Sequence, residues 1–254
     1  MDMNTRNRDS GTISVVIPCR DEAGVIGETL HALRPFFGEA LGRVAQIVVV
    51  DNGSSDGTAE AAQAAGMRGL VVVDQSALPG KGATVRAGVA ATTGDVVVVT
   101  DADGDYLRND AAPYLDALER GADIVLASRS HPASKWTYPP GIARYVRGRR
   151  RLGRIYNILV RAVLPLHLSD TQTGLKFFRG DAARELFRDA RTDHFAYDVE
   201  IMVRARRRGM RIVELPMTYH CSSTDTKVRF ADKPRMVWDL LRIPAIVRGE
   251  TRRR

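Results

Sequence analysis

The chain has little of what marks disulfide-rich, fibrous or membrane-spanning proteins. It has two cysteines in 254 residues, Cys19 and Cys221, too few for a disulfide framework and without the paired spacing of a metal site. No apolar run approaches the ~20 residues that a spanning helix needs, and there is no low-complexity tract or internal repeat. The first ten residues are polar and lack the apolar segment of a signal peptide. We therefore expect a cytoplasmic protein that does not cross a membrane.

Basic residues exceed acidic ones, and the excess is concentrated in two places. The sequence has 38 lysines and arginines against 30 aspartates and glutamates, a formal net charge of +8. This balance indicates nucleic acid, an anionic membrane surface or a polyanionic substrate as a partner. Apolar residues accompany the arginines of segment 144–161, so we expect peripheral contact with a membrane surface; a solvated basic loop beside a packed helix is the alternative. The arginines are Arg144, Arg147, Arg149, Arg150, Arg151, Arg154 and Arg161, with Arg252, Arg253 and Arg254 ending the chain.

Short β-branched segments alternate with helical patterns in the first half of the chain. Continuous apolar strands separated by helices predict an α/β fold with a mainly parallel central sheet, flanked by helices on both faces. The predicted strands are Ile13–Pro18, Ile47–Asp51, Leu70–Asp74, Val96–Asp101 and Ile124–Ser128, and the predicted helices are Glu22–Phe37, Asp56–Ala65, Lys81–Ala91 and Asn109–Arg120.

The second half is less regular. Three prolines predict a loop over His131–Gly141, and the apolar, basic stretch Leu152–Leu168 is typical of a helix that ends before Pro165. Pro216 places the predicted strand Ile212–His220 at a sheet edge. The remaining predicted elements are a strand at Leu175–Phe178, helices at Ala182–Phe187 and Asp198–Arg208, and an amphipathic closing helix at Pro234–Val247 that is interrupted at Pro244.

Polar residues follow three of the predicted strands at their carboxyl ends, where ligands bind in open parallel sheets. Asp101 and Asp103 follow the fourth strand, and two carboxylates with this spacing can point the same way. Hard oxygen ligands suit Mg²⁺ or Mn²⁺, which bridges diphosphate oxygens and neutralises a departing nucleoside diphosphate. By itself the Asp-x-Asp pattern is equally typical of a polar turn, so the prediction rests on the neighbouring strand ends.

Two further strand ends contribute to the same predicted crevice. Asp51 ends a central strand, and we expect its carboxylate near a nucleotide base or ribose, whereas Asp56 in the same turn caps the next helix. Gly80-Lys81-Gly82 precedes a helix, so its amides and the Lys81 ammonium are candidates to bind an anion. It lacks the spacing of a P-loop.

Collectively these motifs resemble the family 2 glycosyltransferases of the GT-A (nucleotide-diphospho-sugar transferase) fold. The matching segments are VVIPCRDE, VVDNGSSDGT, GKGATVRAG and TDADGD. ASRS, SDTQTGLKFF and FAYDVEIMVRARRRG resemble the polyprenyl-phosphate branch, the dolichyl-phosphate glucosyltransferases and mannose synthases. The resemblance covers roughly residues 12 to 225. It implies a disordered tail at 1–11, a catalytic domain at 12–230 and an amphipathic helix with a basic tail at 231–254.

The resemblance implies a role for each matching polar residue. Asp101 and Asp103 would hold the metal and the diphosphate, and Asp105 stands where the mannose synthases usually have Gln, as a further possible ligand. Pro18, Arg20, Glu22 and Asp51 would help bind the nucleotide base, and Asp170 and Gln172 would lie near the sugar. Ser128 and Arg129 match an element that binds phosphate groups, and Asp198 and Glu200 match the acidic pair of the Asp-Val-Glu helix. Of these residues, Ser128, Arg129 and Glu200 are the expected contacts to the acceptor.

Two departures and two close matches bear on the donor. Asn52 replaces the frequent second Asp of the Asp-Asp-Gly-Ser turn, and Tyr106 replaces the His common in mannose synthases. GKGATVRAG and SDTQTGLKFF are closer to the glucosyltransferases, so we favour a UDP-sugar over GDP-mannose.

The expected reaction is an inverting displacement at the anomeric carbon. A polyprenyl phosphate acceptor is already ionised and needs only positioning by cations, for which the segment beginning at Arg144 is the candidate. A small hydroxyl acceptor in a biosynthetic pathway is the alternative, and it requires a base, Asp198 or Asp170.

The sequence does not support a nucleotidyltransferase, because the Gly-rich signature of that class near the first strand is missing. We expect no nucleic-acid partner, since three acidic strand ends would repel phosphates without a metal.

Overall fold

The computed structural model describes residues 11–221, 224 and 232–248. Within them the chain forms nine strands and eight helices, with short 3-10 turns at Gly38–Arg43 and Pro140–Ile142. In chain order these are β1 Ile13–Cys19, α1 Ile26–Phe37, β2 Val44–Asp51, α2 Thr58–Ala64, β3 Leu70–Asp74, α3 Lys81–Ala90, β4 Val96–Val99, α4 Ala112–Glu119, β5 Ile124–Ser128, β6 Lys135–Thr137, α5 Ala143–Val163, β7 Lys176–Arg179, α6 Gly180–Asp189, α7 Tyr197–Arg207, β8 Ile212–Pro216, β9 Thr218–His220 and α8 Asp232–Arg248.

Seven strands form one sheet in the order β3-β2-β1-β4-β7-β5-β8, and β6 pairs with β9 in a separate two-stranded sheet. Only β7 runs against its neighbours in the large sheet. Alternate residues of each strand pack into apolar cores on opposite faces, as Val15 and Val16 of β1 do. The prediction of a mainly parallel sheet with helices on both faces is confirmed.

Strand register brings the functional candidates to one edge. Cys19 of β1 is level with Asp51 of β2, and Asp51 is level with Asp74 of β3. Val16 pairs with Val99, so the chain leaving β4 passes through Asp101 at the level where β1 ends. Because parallel strands end at the same edge, their loops line one crevice.

The antiparallel strand adds a fourth loop to this crevice. Lys176, the first residue of β7, pairs with Val99, the last residue of β4. An antiparallel strand begins where its parallel neighbours end. The segment that precedes β7, which includes Asp170 and Gln172, therefore enters the crevice from the opposite direction.

Several predicted bounds were wrong. β6 lies inside the segment predicted as a loop, and α5 begins at Ala143, nine residues before the predicted helix. α8 continues through Pro244 instead of breaking there. The predicted strand Ile212–His220 is divided between β8 and β9, although β8 is an edge strand as Pro216 predicted. The predicted tail at 1–11 lies almost entirely outside the described residues.

Over the part of the chain described above, we find no helix with both the length and the apolar composition that crossing a bilayer requires.

Candidate active site

The loop after β4 places Asp101 and Asp103 at the floor of the crevice. The side chain of Ala102 between them is buried, and its carbonyl accepts a hydrogen bond from the Thr29 hydroxyl at 2.6 Å. Asp101 forms an ion pair with Lys81 at 2.5 Å between Oδ1 and Nζ. Burial alone would lower the pKa of Lys81, but the charges of Asp101 and Asp198 raise it above its usual range. Lys81 is thus a fixed cation beside the predicted metal site.

Asp103 has a different environment from Asp101. The residue is exposed, and its carboxylate lies near those of Asp101 and Asp105. Desolvation by the surrounding protein, followed by the charges of Asp101 and Asp105, raises the pKa of Asp103 to about 7. The neighbouring Lys81 holds the pKa of Asp101 below its usual range despite desolvation. A cation bound here would relieve the repulsion among these carboxylates.

Asp105 does not complete a preformed metal centre. Asp105 is buried, and its backbone amide donates a hydrogen bond to Asp103 Oδ1 at 3.1 Å. Among the described residues, no group of three or more His, Cys, Asp or Glu side chains is arranged to hold a metal ion. The carboxylates of Asp101 and Asp103 fit a divalent cation, whose remaining ligands would come from a bound diphosphate and water.

The loops after β1 and β2 are held together by short polar side chains. Asp51 Oδ1 accepts hydrogen bonds from the amide and hydroxyl of Ser54. The Ser54 hydroxyl in turn accepts from the Asp21 amide at 2.9 Å, and Asp21 Oδ1 accepts from the Ser55 amide at 2.9 Å. Asp21 has a φ of 52°, which its short polar side chain tolerates. These bonds fix the wall predicted to bind the nucleotide base.

The predicted base contacts lie along this wall. Pro18 is half-buried within β1, Arg20 is exposed, and Glu22 donates its backbone amide to the Thr58 hydroxyl at 2.8 Å. Asp56 Oδ1 accepts from the Thr58 amide at 3.1 Å. Asp56 is therefore bonded to the first residue of α2, but the N-cap residue of this helix is Gly57, so the predicted capping role of Asp56 was wrong.

Asn52 links this wall to the Lys81 loop. The side-chain amide is oriented so that its oxygen and its nitrogen both have hydrogen-bond partners. The oxygen accepts from the Gly80 amide at 3.1 Å and from the Thr84 hydroxyl at 2.9 Å. Its nitrogen donates to the Gln75 carbonyl at 3.3 Å. An aspartate could not make the last bond, so the departure from the family pattern at position 52 has a structural reason in this chain.

Arg129 and Asp170 form a buried pair on the opposite side of the crevice. Arg129 Nε and Nη2 donate to the two carboxylate oxygens of Asp170 at 2.7 and 2.8 Å, and Nη2 also donates to the Gln172 carbonyl at 2.8 Å. Burial opposes ionisation of Asp170, but Arg129 lowers its pKa below the usual range. Both oxygens are engaged, so Asp170 orients Arg129 instead of standing ready as a base.

Asp198 lies at the start of α7 and forms an ion pair with Lys176 at 2.7 Å, both residues being buried. The Lys176 ammonium also donates to the Thr173 carbonyl and lies 5.8 Å from the Tyr197 ring centroid. Burial raises the pKa of Asp198, and the charges of Lys176 and Lys81 offset part of that rise. Sequence reasoning missed Lys176, although a lysine inside an apolar strand was an available signal.

Two predicted acceptor contacts need correction. Glu200 is fully buried; it forms an ion pair with Arg204 at 2.5 Å and accepts from the Thr192 amide at 2.7 Å. Ser128 is also fully buried, and its hydroxyl bonds to that of Ser169 at 2.7 Å. Both residues support the crevice wall from behind and have no surface to offer an acceptor.

Arg144 stays a predicted acceptor contact. It is exposed near the start of α5, whereas Arg149 is the α5 arginine beside the crevice. The Arg149 guanidinium carbon lies 5.7 Å from the centroid of Tyr219, and that of Arg129 lies 5.9 Å from the same ring. Among the described side chains, no carboxylate forms an ion pair with Arg149. Two cations therefore meet at one aromatic ring.

Tyr106 completes this side of the crevice. Its ring is buried and lies 5.0 Å from the Tyr219 ring between centroids. Gly174 lies against it: a Cβ atom at Gly174 would overlap Asp101 Oδ2 and the Tyr106 ring. The Asp101 carboxylate, the tyrosine pair and the arginine pair are therefore contiguous.

Known glycosyltransferases are similar to this chain in sequence and in fold. The dolichyl-phosphate beta-glucosyltransferase ALG5C of Trichomonas vaginalis is 29% identical to this chain over 214 residues, which is 80% of this chain and 61% of the relative. The chain thus spans less than two thirds of that relative's length.

Two solved structures share the fold at low sequence identity. Mannosyl-3-phosphoglycerate synthase from Rubrobacter xylanophilus superposes with a TM-score of 0.67 and 21% identity, over 97% of this chain and 78% of that one. Glucosyl-3-phosphoglycerate synthase from Mycobacterium tuberculosis, in complex with Mn²⁺, UDP and glucosyl-3-phosphoglycerate, superposes with a TM-score of 0.62 and 21% identity, over 93% and 79%. These similarities establish the GT-A architecture. The sequence profile of Glycosyl transferase family 2 matches residues 14–187, more than half of the chain, and this protein is therefore a member of glycosyl transferase family 2.

Proposed function

We propose that this glycosyltransferase transfers a sugar from a UDP-sugar to a polyprenyl phosphate at a membrane surface, with inversion at the anomeric carbon and with Mg²⁺ or Mn²⁺ as cofactor. The observation that carries the proposal is the pairing of two sites. An acidic pair, Asp101 and Asp103, adjoins two arginines, Arg129 and Arg149, at the Tyr219 ring. A metal-bound diphosphate would fit the first and a phosphate acceptor the second.

The donor side has the groups that a nucleoside diphosphate needs. The wall around Asp51 borders the predicted base site, and Lys81 supplies a cation for the diphosphate. Asp101 and Asp103 would hold the metal, which would supply charge neutralisation for the leaving diphosphate. The Mn²⁺ and UDP bound by the Mycobacterium tuberculosis neighbour support the choice of metal and nucleotide.

The acceptor side favours an anion over a neutral hydroxyl. Asp170 fixes the Arg129 guanidinium in a bidentate pair, and Arg149 keeps its charge free of a carboxylate partner among the described residues. An acceptor phosphate oxygen held there would attack the anomeric carbon. A new carbon–oxygen bond forms while the bond to the diphosphate breaks, and UDP departs. No general base is required because the phosphate is already ionised.

A donor and acceptor screen tests the proposal. UDP-glucose, UDP-N-acetylglucosamine, UDP-galactose and GDP-mannose would be offered with Mg²⁺ or Mn²⁺, with and without a short-chain polyprenyl phosphate. We expect acceptor-dependent release of UDP and a glycosyl phosphate product with inverted configuration. Transfer to 3-phosphoglycerate but not to the polyprenyl phosphate would instead assign a hydroxyl acceptor, and release of pyrophosphate would contradict glycosyl transfer.

A further inference from the structure

Exposed apolar side chains are concentrated on two helices. Of the nine large hydrophobic residues that are exposed in the described structure, three belong to α5 and three to α8. They are Leu152, Ile155 and Ile158 on α5, and Val237, Trp238 and Leu241 on α8. Scattered single residues of this kind need no explanation, but two groups on neighbouring helices do.

α5 divides its exposed surface into an apolar and a basic stripe. Its inward face holds Val146 and Val160 against the core. Residues three or four apart share a helix face, so Leu152, Ile155 and Ile158 form one exposed stripe, with Ile155 at 64% exposure. The same spacing aligns exposed arginines beside it: Arg147, Arg151 and Arg154. α5 has no acidic residue.

α8 repeats this arrangement. Trp238 is 61% exposed and Leu241 is 54% exposed, one turn apart, while Leu240 and Ile243 face the core. Among the residues of this helix whose exposure the structure describes, Arg235, Arg242 and Arg248 are exposed basic residues.

The two helices adjoin one another. Residues at the end of α5, Val163 and Leu164, line the same hollow as Pro244 and Val247 near the end of α8. The C-terminal parts of the two helices are therefore neighbours in the fold.

We propose that the exposed stripes of α5 and α8 together form a docking face for an anionic lipid bilayer. The apolar side chains would enter the headgroup region, where Trp238 is suited to the boundary between water and hydrocarbon, and the arginines would meet lipid phosphates. This inference rests on the proposed function in one respect, the assumption that the acceptor is a membrane lipid.

Charge decides among the possible occupants of this face. A second copy of the chain would oppose arginines to arginines across the contact, which disfavours self-association. A nucleic acid would match the charge but leave Ile155, Trp238 and Leu241 in water. An anionic bilayer satisfies both the charge and the apolar stripes.

The position of Arg149 gives the docking face a consequence for catalysis. Arg149 lies on α5 one turn before Leu152, with its guanidinium beside the Tyr219 ring. A bilayer lying along α5 would therefore bring a lipid phosphate to the acceptor side of the crevice.

Vesicle flotation with paired variants tests the proposal. One variant carries Ile155→Ser and Ile158→Ser, a second carries Trp238→Ser and Leu241→Ser, and a control carries Val71→Ser and Leu78→Ser, which alters exposed apolar residues elsewhere (43% and 53% exposed). At low salt, we expect the wild type and the control to float with phosphatidylglycerol-containing vesicles and not with phosphatidylcholine alone. Each docking variant should bind the vesicles at least about tenfold more weakly than the wild type, because transfer of apolar side chains from water into the membrane drives binding.

Further measurements separate the possible outcomes. In a Trp136→Phe protein, the single remaining Trp238 should be quenched by brominated lipid, a readout that does not depend on a variant of the face. Flotation of the α8 variant at wild-type level, or unquenched Trp238, would overturn the two-helix face. A concentration-dependent dimer that these substitutions dissolve, without any change in flotation, would assign the face to self-association.

Failure of the docking face and failure of the proposed function are distinguishable. Transfer to a water-soluble short-chain polyprenyl phosphate without vesicles should be within about twofold of wild type in both docking variants. If the wild type itself did not transfer sugar to this soluble acceptor, the proposed acceptor would be wrong. The flotation result would still test the docking face independently.

Discussion

Arg144 and Arg149 are five residues apart, which turns their side chains about 140° from one another around the α5 axis. That rotation leaves Arg144 in solvent and brings Arg149 to the Tyr219 ring. The sequence marked the whole arginine cluster as an anion-binding segment. It could not indicate which member faces the crevice, because the buried face of α5 is defined by residues that pack on it from distant parts of the chain.

Replacement of Arg149 should affect the acceptor and spare the donor. In Arg149→Gln we expect the KM for a soluble polyprenyl phosphate to rise about ten- to hundredfold, the range of one charge-assisted hydrogen bond. The KM for the UDP-sugar should stay within about twofold. Steady-state kinetics with each substrate varied in turn would measure both. Arg147→Gln, an exposed arginine of the same helix, is the matched control, and an equal effect of both substitutions would contradict a specific contact.

Gly174 offers a second residue-scale prediction. A methyl group at this position would overlap the Asp101 carboxylate and the Tyr106 ring, so Gly174→Ala should displace the carboxylate. We expect kcat/KM to fall at least about tenfold, since small misplacements of reacting groups are costly. The concentration of Mn²⁺ needed for half-maximal activity should rise. Gly148→Ala on α5, where a Cβ would meet nothing within 4 Å, should leave both quantities unchanged.

Among the elements, the strands with continuous apolar runs were the most predictable. β3 and β5 have the bounds that these runs predicted, although β5 is buried throughout and β3 is a partly exposed edge strand. β6 has three residues and pairs with β9, whose sequence is about 80 positions away. Its stability comes from that non-local pairing, which no local pattern contains. The direction of β7 could not be predicted from its sequence either, because side chains alternate in the same way in parallel and antiparallel strands.

The crevice shows the same division between local and non-local information. Asp101, Asp103 and Lys81 follow strands or precede helices, so topology placed them correctly. Asn52 and Glu200 act through partners far away in sequence or through buried backbone amides. The resemblance implied an acceptor contact for Glu200 and marked Asn52 only as a departure from the family pattern, whereas their partners give both residues structural roles.

The Glu200–Arg204 pair should be a large contributor to the stability of α7 and the turn before it. Both side chains are fully enclosed, and Glu200 also accepts from the Arg191 and Thr192 amides. Glu200→Gln would remove the buried carboxylate charge that faces the Arg204 guanidinium, at a cost of about 3–5 kcal/mol. Urea unfolding would measure it. Asp116→Asn, which breaks the exposed Arg120–Asp116 pair, should change the free energy of unfolding by less than about 0.5 kcal/mol, and similar losses in the two variants would argue against this account.

On the scale of the whole molecule, opposite charges are separated. The crevice floor carries Asp101, Asp103 and Asp105, whereas α5 carries arginines and no acidic residue. A uniformly basic protein would bind polyanions over its surface. Here the arginines of α5 lie outside a crevice whose floor carries three carboxylates, and the net charge is +8. We therefore expect the metal and the diphosphate to bind together, because the metal would neutralise the repulsion between the diphosphate and these carboxylates.

This coupling predicts how ligands stabilise the fold. UDP with Mn²⁺ at about 100 times its Kd should stabilise the folded state by ~2.7 kcal/mol, which for a chain of this size corresponds to a Tm increase of roughly 5–11 °C. UDP alone should give a much smaller increase, because its diphosphate would face Asp101 and Asp103 without a cation. Differential scanning fluorimetry over a matrix of UDP and Mn²⁺ concentrations would measure the increase without requiring turnover. In Asp103→Asn the Mn²⁺-dependent part of the increase should be lost, whereas Asp116→Asn should retain it. If Mn²⁺ made no difference to the effect of UDP on the wild type, the two carboxylates would have some role other than holding a metal on the diphosphate.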